Sequence, residues 1–364
     1  MHLLLRAVLA VCGALFLSAC DTPRIWTLAD FYQPEPCFNR QAQPYTSVVD
    51  SHVHFKPFGG QAIPYPELLT YFEQTRVRFV NVYGIGQTLP LDSKCSYYLD
   101  CPGTPVTPGI KNDFANVAGY LAFKKNEQRV HLTFSMTFPD LANPDATLST
   151  IALYEKEYPG VFSWMGEVNL AKQALLNNGH EVASFIDIDN WSPFMTYLRE
   201  KDIPINIHGD IGSDDAPLKY FPLFNHVLET YPDNKIVWAH MGLSKELTQM
   251  PVIKHISLMK QMLTAYPYLM LDISWRVLAD HYFNDPVARQ AYVALMNAYP
   301  TRFLPGTDFV ASADKHFSVY KEELEVNSFI FNELDDNAFR HIALGENYFR
   351  LLDLDYHAPA ICHG

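Results

Sequence analysis

Eight short apolar runs alternate with segments of helical period along most of this 364-residue chain. That alternation, over this length, predicts an α/β fold closed into a (β/α)8 TIM barrel. A further observation concerns where the helical segments stop. Four of them run into Tyr-Pro, at 158–159, 231–232, 266–267 and 299–300. Proline cannot continue a helix, so each is a stop before the next strand.

The predicted strands are 47–55, 77–84, 130–138, 162–170, 204–208, 235–240, 268–274 and 303–308. Each is rich in β-branched or aromatic residues and largely continuous, as strands buried on both faces are. The predicted helices begin with 65–76, where Leu68, Tyr71 and Phe72 share a face, and 113–125, with Asn112 and Asp113 as caps. Then come 145–158, 191–201, 218–231, 253–266, 286–299 and 336–352. The alternative is an open doubly wound sheet. It lacks its glycine fingerprint here, since Gly84-Ile85-Gly86 has no third glycine and reads as a turn.

Composition narrows the function. A chain 48% hydrophobic and 18% charged is neither disordered nor a disulfide-stapled miniprotein. A net charge of −13, from 27 basic and 40 acidic side chains, weighs against nucleic acid as a partner. A small molecule bound in a local pocket fits better. A homo-oligomer stays open.

The first residues read as an address. Arg6 precedes an apolar run, 7–17, shorter than the ~20 residues that a membrane span needs. Leu17-Ser18-Ala19-Cys20 follows and resembles the bacterial lipobox, which implies lipid on Cys20. The division is then 1–19 signal peptide, 20–44 tether or irregular arm, and 45–364 barrel. The expected location is the bacterial cell envelope, periplasm-facing, with membrane contact through the lipid alone. Cys37, Cys95, Cys101 and Cys362 remain, an even number suited to an oxidising compartment. Cys95 and Cys101 share one loop and could bridge locally, leaving Cys37 and Cys362 to tie the ends. Three pairings are possible, and free thiols are the alternative. The Pro-rich segment 87–111 that carries two of them could form a rigid lid.

The chemistry sits at strand ends. The first run closes with Asp50-Ser-His52-Val-His54, whose two histidines face one side of a strand. The fourth carries Glu167, the fifth His208, the sixth His240 and the eighth Asp308. Burying titratable groups is costly, so five strands would not each carry one by accident. A barrel gathers these ends at one face, and the set could hold one or two transition-metal ions.

In this order, His-x-His, Glu, His, His, Asp, the sequence resembles the amidohydrolase superfamily, in its amidohydrolase-related branch of metal-dependent TIM-barrel hydrolases. Ile207-His-Gly209, Trp238-Ala-His-Met-Gly242 and Gly306-Thr-Asp308 carry the likeness, which spans about 45–353. The tail from Ala343 to Leu352 resembles the branch's terminal Gly-Asn-x-x-Arg-Leu helix, with Glu346 intruding. Glu167 stands where many members have a carbamylated lysine, as in TatD-like enzymes.

The resemblance implies a divalent metal, zinc foremost, as one or two ions. His52, His54 and Asp308 would hold one, and Glu167 would bridge to a second held by His208 and His240. Asp308 would move protons, and in a one-metal version His240 would orient the substrate carbonyl. The implied reaction is hydrolysis of a small-molecule ester, lactone, amide or phosphoester by metal-activated water. A decarboxylase or other lyase of the same fold is one alternative, and a non-catalytic metal- or solute-binding envelope lipoprotein is another. Arg276, Tyr83 and Lys56 are the expected substrate contacts, with Asp210 and Trp275 also at the mouth. Asp50 is expected to hold the turn after strand one. His180, His226, His255, His281, His316, His341, His357 and His363 are read as surface or capping residues, and His131 gets no role.

Overall fold

The computed structural model describes residues 37–41, 47–90, 92–95, 97–123 and 129–362. The expected signal peptide, the expected lipidation site Cys20 and most of the expected 20–44 arm lie outside these residues. The main sheet contains β1 (Val49–His54), β2 (Phe79–Tyr83), β3 (His131–Met136), β4 (Phe162–Ala171) and β5 (Ile205–Gly209). It continues with β6 (Ile236–Trp238), β7 (Leu269–Asp272), β8 (Phe303–Leu304) and β9 (Phe309–Val310). All neighbours are parallel, in the order β8-β7-β6-β5-β4-β3-β2-β1-β9. The continuous apolar runs are buried residue after residue, as a parallel sheet with both faces covered requires.

The sheet curls until both its edges come from one stretch of chain. β8 pairs with β7 and β9 with β1, and only residues 305–308 separate them. The Ser51 amide donates to Pro305 O at 3.0 Å, and the Asp308 amide to His52 O at 2.9 Å, across the remaining gap. The expected strand 303–308 is therefore two short strands around a link. Pro305 has no amide to donate, and a Cβ on Gly306 would press on His52 and Ser274.

The flanking helices are α1 (Tyr65–Thr75), α2 (Ile110–Ala122), α3 (Thr147–Glu157), α4 (Ser192–Glu200) and α5 (Phe221–Thr230). They continue as α6 (Val252–Ala265), α7 (Pro286–Ala298), α8 (Phe317–Ser328), α9 (Asp336–Ile342) and α10 (Glu346–Leu351). At the ends of α3, α5, α6 and α7, Tyr158, Tyr231, Tyr266 and Tyr299 each give a last amide to the carbonyl four residues back, and proline follows. No helix among the described residues is long and apolar enough to cross a membrane.

Three expectations change. Helix 336–352 is two helices, broken where Gly345 takes a φ of 90°. Helix α8 was not anticipated. Asn112 and Asp113 do not cap α2, which starts earlier at Ile110, so that Asp113 turns inward and is buried.

The tail motif seals the sheet. Asn347 donates to Pro300 O and Phe303 O at 2.8 and 2.9 Å, holding the start of β8. Tyr348 reaches Thr133 of β3. The intruding Glu346 accepts from the Ala358 amide at 2.7 Å and from Arg340 at 2.9 Å, pinning the last residues. There Cys362 is bonded to Cys37, and Cys37–Phe38 pairs in parallel with Ala360–Ile361. Arg40 adds a 2.7 Å ion pair with Asp336. This part of the expected irregular arm is thus ordered against α9 and the last described residues. Cys95 is bonded to Cys101.

Candidate metal centre and active site

His52 and His54 end β1 two residues apart, and both imidazoles enter the same space. Their tautomers are fixed from behind. His52 Nδ1 donates to the Asp272 carboxylate at 2.6 Å, and His54 Nδ1 to Gly84 O at 2.5 Å. Both Nε2 atoms are left facing inward, 3.3 Å apart. Asp308 Oδ1 lies 3.4 and 3.2 Å from them. Glu167 Oε2 lies 3.8 and 3.4 Å away. His240 repeats the pattern, with Nδ1 on Ser274 O at 3.1 Å and Nε2 3.8 Å from Glu167 Oε1. His208 presents Nδ1 to the same Oε1, while its Nε2 meets Asp210 at 2.9 Å.

All six sequence-predicted ligands therefore meet. Among the described residues, His52, His54, Glu167 and Asp308 form one group whose ligand atoms lie within 4.8 Å of one another. Glu167, His208 and His240 form a second group, and the two share the glutamate. Histidines whose far nitrogens are held by carboxylate or carbonyl acceptors, facing carboxylates, make a donor set suited to zinc or a similar divalent ion. The electrostatics agree. Burial works against a charged His52, yet Asp272, with Glu167 and Asp308, outweighs it and holds the imidazole pKa up at about 10. Burial would raise Asp308, but His54, His52 and His240 keep its carboxyl well below the usual range. The cluster calls for positive charge at its centre.

Backbone strain delivers some of these groups. His240 and Asp308 have φ of 53° and 58°, and Trp275 beside them has 85°. Left-handed backbone is costly for such residues and collects at functional sites. A Cβ on Gly166 would overlap the Asn206 carbonyl, so only glycine lets β4 approach β5 closely just before Glu167.

Above the cluster lies a cavity of about 580 Å³. Phe58, Tyr97, Tyr98 and Trp275 wall it, with Lys172, Lys245, Lys315 and Arg276 among its cations. Tyr97, Tyr98 and Asp100 of the 87–111 segment line it. That segment is closed by the pairing of Gln87–Thr88 with Thr107–Pro108 and pinned by Asn178, which donates to Cys101 O at 2.8 Å.

The expected substrate contacts fare differently. Arg276 lines the cavity but is engaged by Asp280 and Glu322. Tyr83 is fully buried, with its ring edge-on to His52 at 4.5 Å and its hydroxyl met by Asn206, so it supports the histidine and does not reach the mouth. Lys56 is not among the residues lining this cavity. Asp210 is buried as a partner of His208. Asp50 ties strand one to Thr307 through amide and hydroxyl bonds of 2.9 and 2.8 Å, and does not hold the following turn.

Sequence reasoning missed four residues, Asp272 behind His52 among them. His255 and His180, expected at the surface, are buried, and burial drops both to about 4, so they are neutral. His255 bridges Tyr292 and Met241 O, bracing the left-handed turn that carries His240. His180 accepts the Lys172 amide at 3.1 Å. Lys172 follows β4, and its Nζ lies 3.0 Å from Glu167 Oε1. Burial opposes its ammonium, but Glu167, Asp308 and Asp210 together outweigh burial and raise its pKa above the ordinary lysine value. His180 and His255 gave no sequence signal beyond being histidines. Lys172 stood five residues after a predicted ligand.

Residues 132–347 match the family model described as Amidohydrolase. None of the curated proteins matches the chain. Among solved structures, an amidohydrolase from Burkholderia multivorans with bound zinc is 13% identical, with 84% of this chain and 99% of that one covered and a TM-score of 0.53. The dihydroorotase of Campylobacter jejuni is 15% identical, with 86% and 85% covered and a TM-score of 0.49. At such identity the likeness is one of fold. The matched segment is more than half of the chain and contains Glu167, His208, His240 and Asp308, while His52 and His54 lie outside it, far upstream in sequence, and complete the cluster. The chain thus belongs to the amidohydrolase family and is a metal-dependent hydrolase.

Proposed function

We propose that the chain hydrolyses a small-molecule ester, lactone, amide or phosphoester at one face of a closed (β/α)8 barrel, in which β8 and β9 are one interrupted eighth strand. The observation that carries this is the meeting of His52, His54, Glu167 and Asp308 beside an aromatic-walled cavity that His54 and Asp308 line. These four residues would hold a divalent ion, zinc foremost. When bound, such an ion supplies Lewis acidity toward the electrophile and toward water.

The rest falls to the side chains. Asp308 is the most open of the four, at 14% exposure against 4% or less, so it can reach both water and substrate. Its depressed pKa keeps it a carboxylate at neutral pH, ready to take the proton of an attacking water and deliver it to the leaving group. His240, steadied by Ser274 O, turns Nε2 into the site, where it would orient the substrate's carbonyl group. Asp272 and Gly84 O keep His52 and His54 turned inward.

The test is a paired measurement on the His52→Ala/His54→Ala double variant and the parent. The parent should carry zinc or a similar ion and turn over a member of a panel of esters, lactones, amides and phosphoesters. The variant should stay folded and lose both. Full metal occupancy in the variant would refute the reading. Aromatic carboxylates in the panel cover the decarboxylase alternative.

A further inference from the structure

The two oxygens of Glu167 have different company. Oε2 faces His52 and His54, in the group that includes Asp308. Oε1 faces His208 and His240, the histidines of the other candidate group. That same Oε1 is bound by Lys172 Nζ at 3.0 Å.

The lysine is built into this place. Its side chain is only 13% exposed, its amide is held by His180, and its ammonium lies 5.9 Å from the centre of the Phe58 ring. It is no surface cation that happens to swing inward. Charge counting points the same way. Glu167, Asp308, Asp272 and Asp210 bring four negative charges to the cluster. One divalent ion and one ammonium leave it slightly negative, as suits a site that must also handle protons. Two divalent ions beside the ammonium would leave it positive, with a dication and an ammonium sharing one carboxylate oxygen. Like charges this close in a buried site repel strongly.

We propose that Lys172 is the built-in second cation of this centre: it occupies the Oε1 side of Glu167 and limits the protein to one divalent ion, held by His52, His54, Glu167 and Asp308. His208 and His240 are thereby left for substrate and hydrogen bonding, in a cavity that Lys172 also lines. The inference rests on the metal reading above.

The experiment measures stoichiometry, without substrate. Apoprotein of the parent, Lys172→Arg and Lys172→Met is titrated with zinc by calorimetry, and bound zinc is counted by elemental analysis after dialysis. The expected result is one equivalent for the parent and for Lys172→Arg, and two for Lys172→Met. Lys172→Ala serves if Lys172→Met does not fold, and the parent's own stoichiometry stands as an independent arm. Two equivalents in the parent overturn the inference and leave the metal reading intact. One equivalent in both the parent and the uncharged variant also overturns it. No zinc in the parent overturns the metal reading itself, and the inference with it.

Discussion

At the scale of the residue, Asp308 carries the sharpest expectation. It stands in left-handed backbone at the link between β8 and β9, with its amide bonded to His52 O. An amide in its place could still coordinate through oxygen but could not take a proton at neutral pH. Asp308→Asn should therefore retain the fold and much of the metal while turnover falls by ~100-fold or more. Steady-state rates and metal content on the same sample check this, and an Asn variant as fast as the parent would remove Asp308 from the proton path. The six ligand-type residues were legible because strand ends and ligand chemistry are both written locally. Lys172 was not, because only the turn after β4 brings Nζ back to a carboxylate five residues earlier. His255 and His180 were misread because burial of a polar ring depends on tertiary partners that no local pattern shows.

At the scale of the element, Asp113 joins helix α2 to the end of β3. Its carboxyl accepts from the Thr137 amide and the Tyr154 hydroxyl, each at 2.7 Å, and from the Thr137 hydroxyl. Burial pushes its pKa up to about 7 from an ordinary 3.8, against the opposing pull of those donors. Between these values the folded protein holds a proton that the unfolded chain has released. Raising the pH through that window thus works against folding, and the contribution is fully present only below the lower value. The stability advantage of the parent over Asp113→Asn should be largest near pH 4 and shrink toward pH 7, as measured by urea unfolding at several pH values. Parallel profiles would refute the assignment. The elements themselves were mostly legible, through continuous apolar runs and Tyr-Pro stops. Helix α8 escaped because its buried face is Tyr320, Leu324, Asn327 and Ser328, half of it polar, so the apolar period is lost. The interruption of the eighth strand escaped because Pro305 and Gly306 sit between two apolar pairs, Phe303-Leu304 and Phe309-Val310.

At the scale of the whole molecule, the alternation of strands and helices predicted the curled parallel sheet, and the partners of its two edges follow from β8 and β9 being one stretch of chain. The bond between Cys37 and Cys362, 325 residues apart, has a mechanical consequence. It makes the sheet and its helices a closed covalent ring whose entry and exit lie side by side. A force applied ahead of Cys37, as through a tether to a surface, passes across one sulfur bridge to the far end and bypasses the sheet. Pulled between residues outside the ring, the oxidised protein should lengthen only by its short outer ends. After reduction the same pull should reach the sheet and release hidden length on the order of 1,100 Å, at ~3.4 Å per residue. Single-molecule extension with and without reductant would show whether the sheet is shielded from such a load.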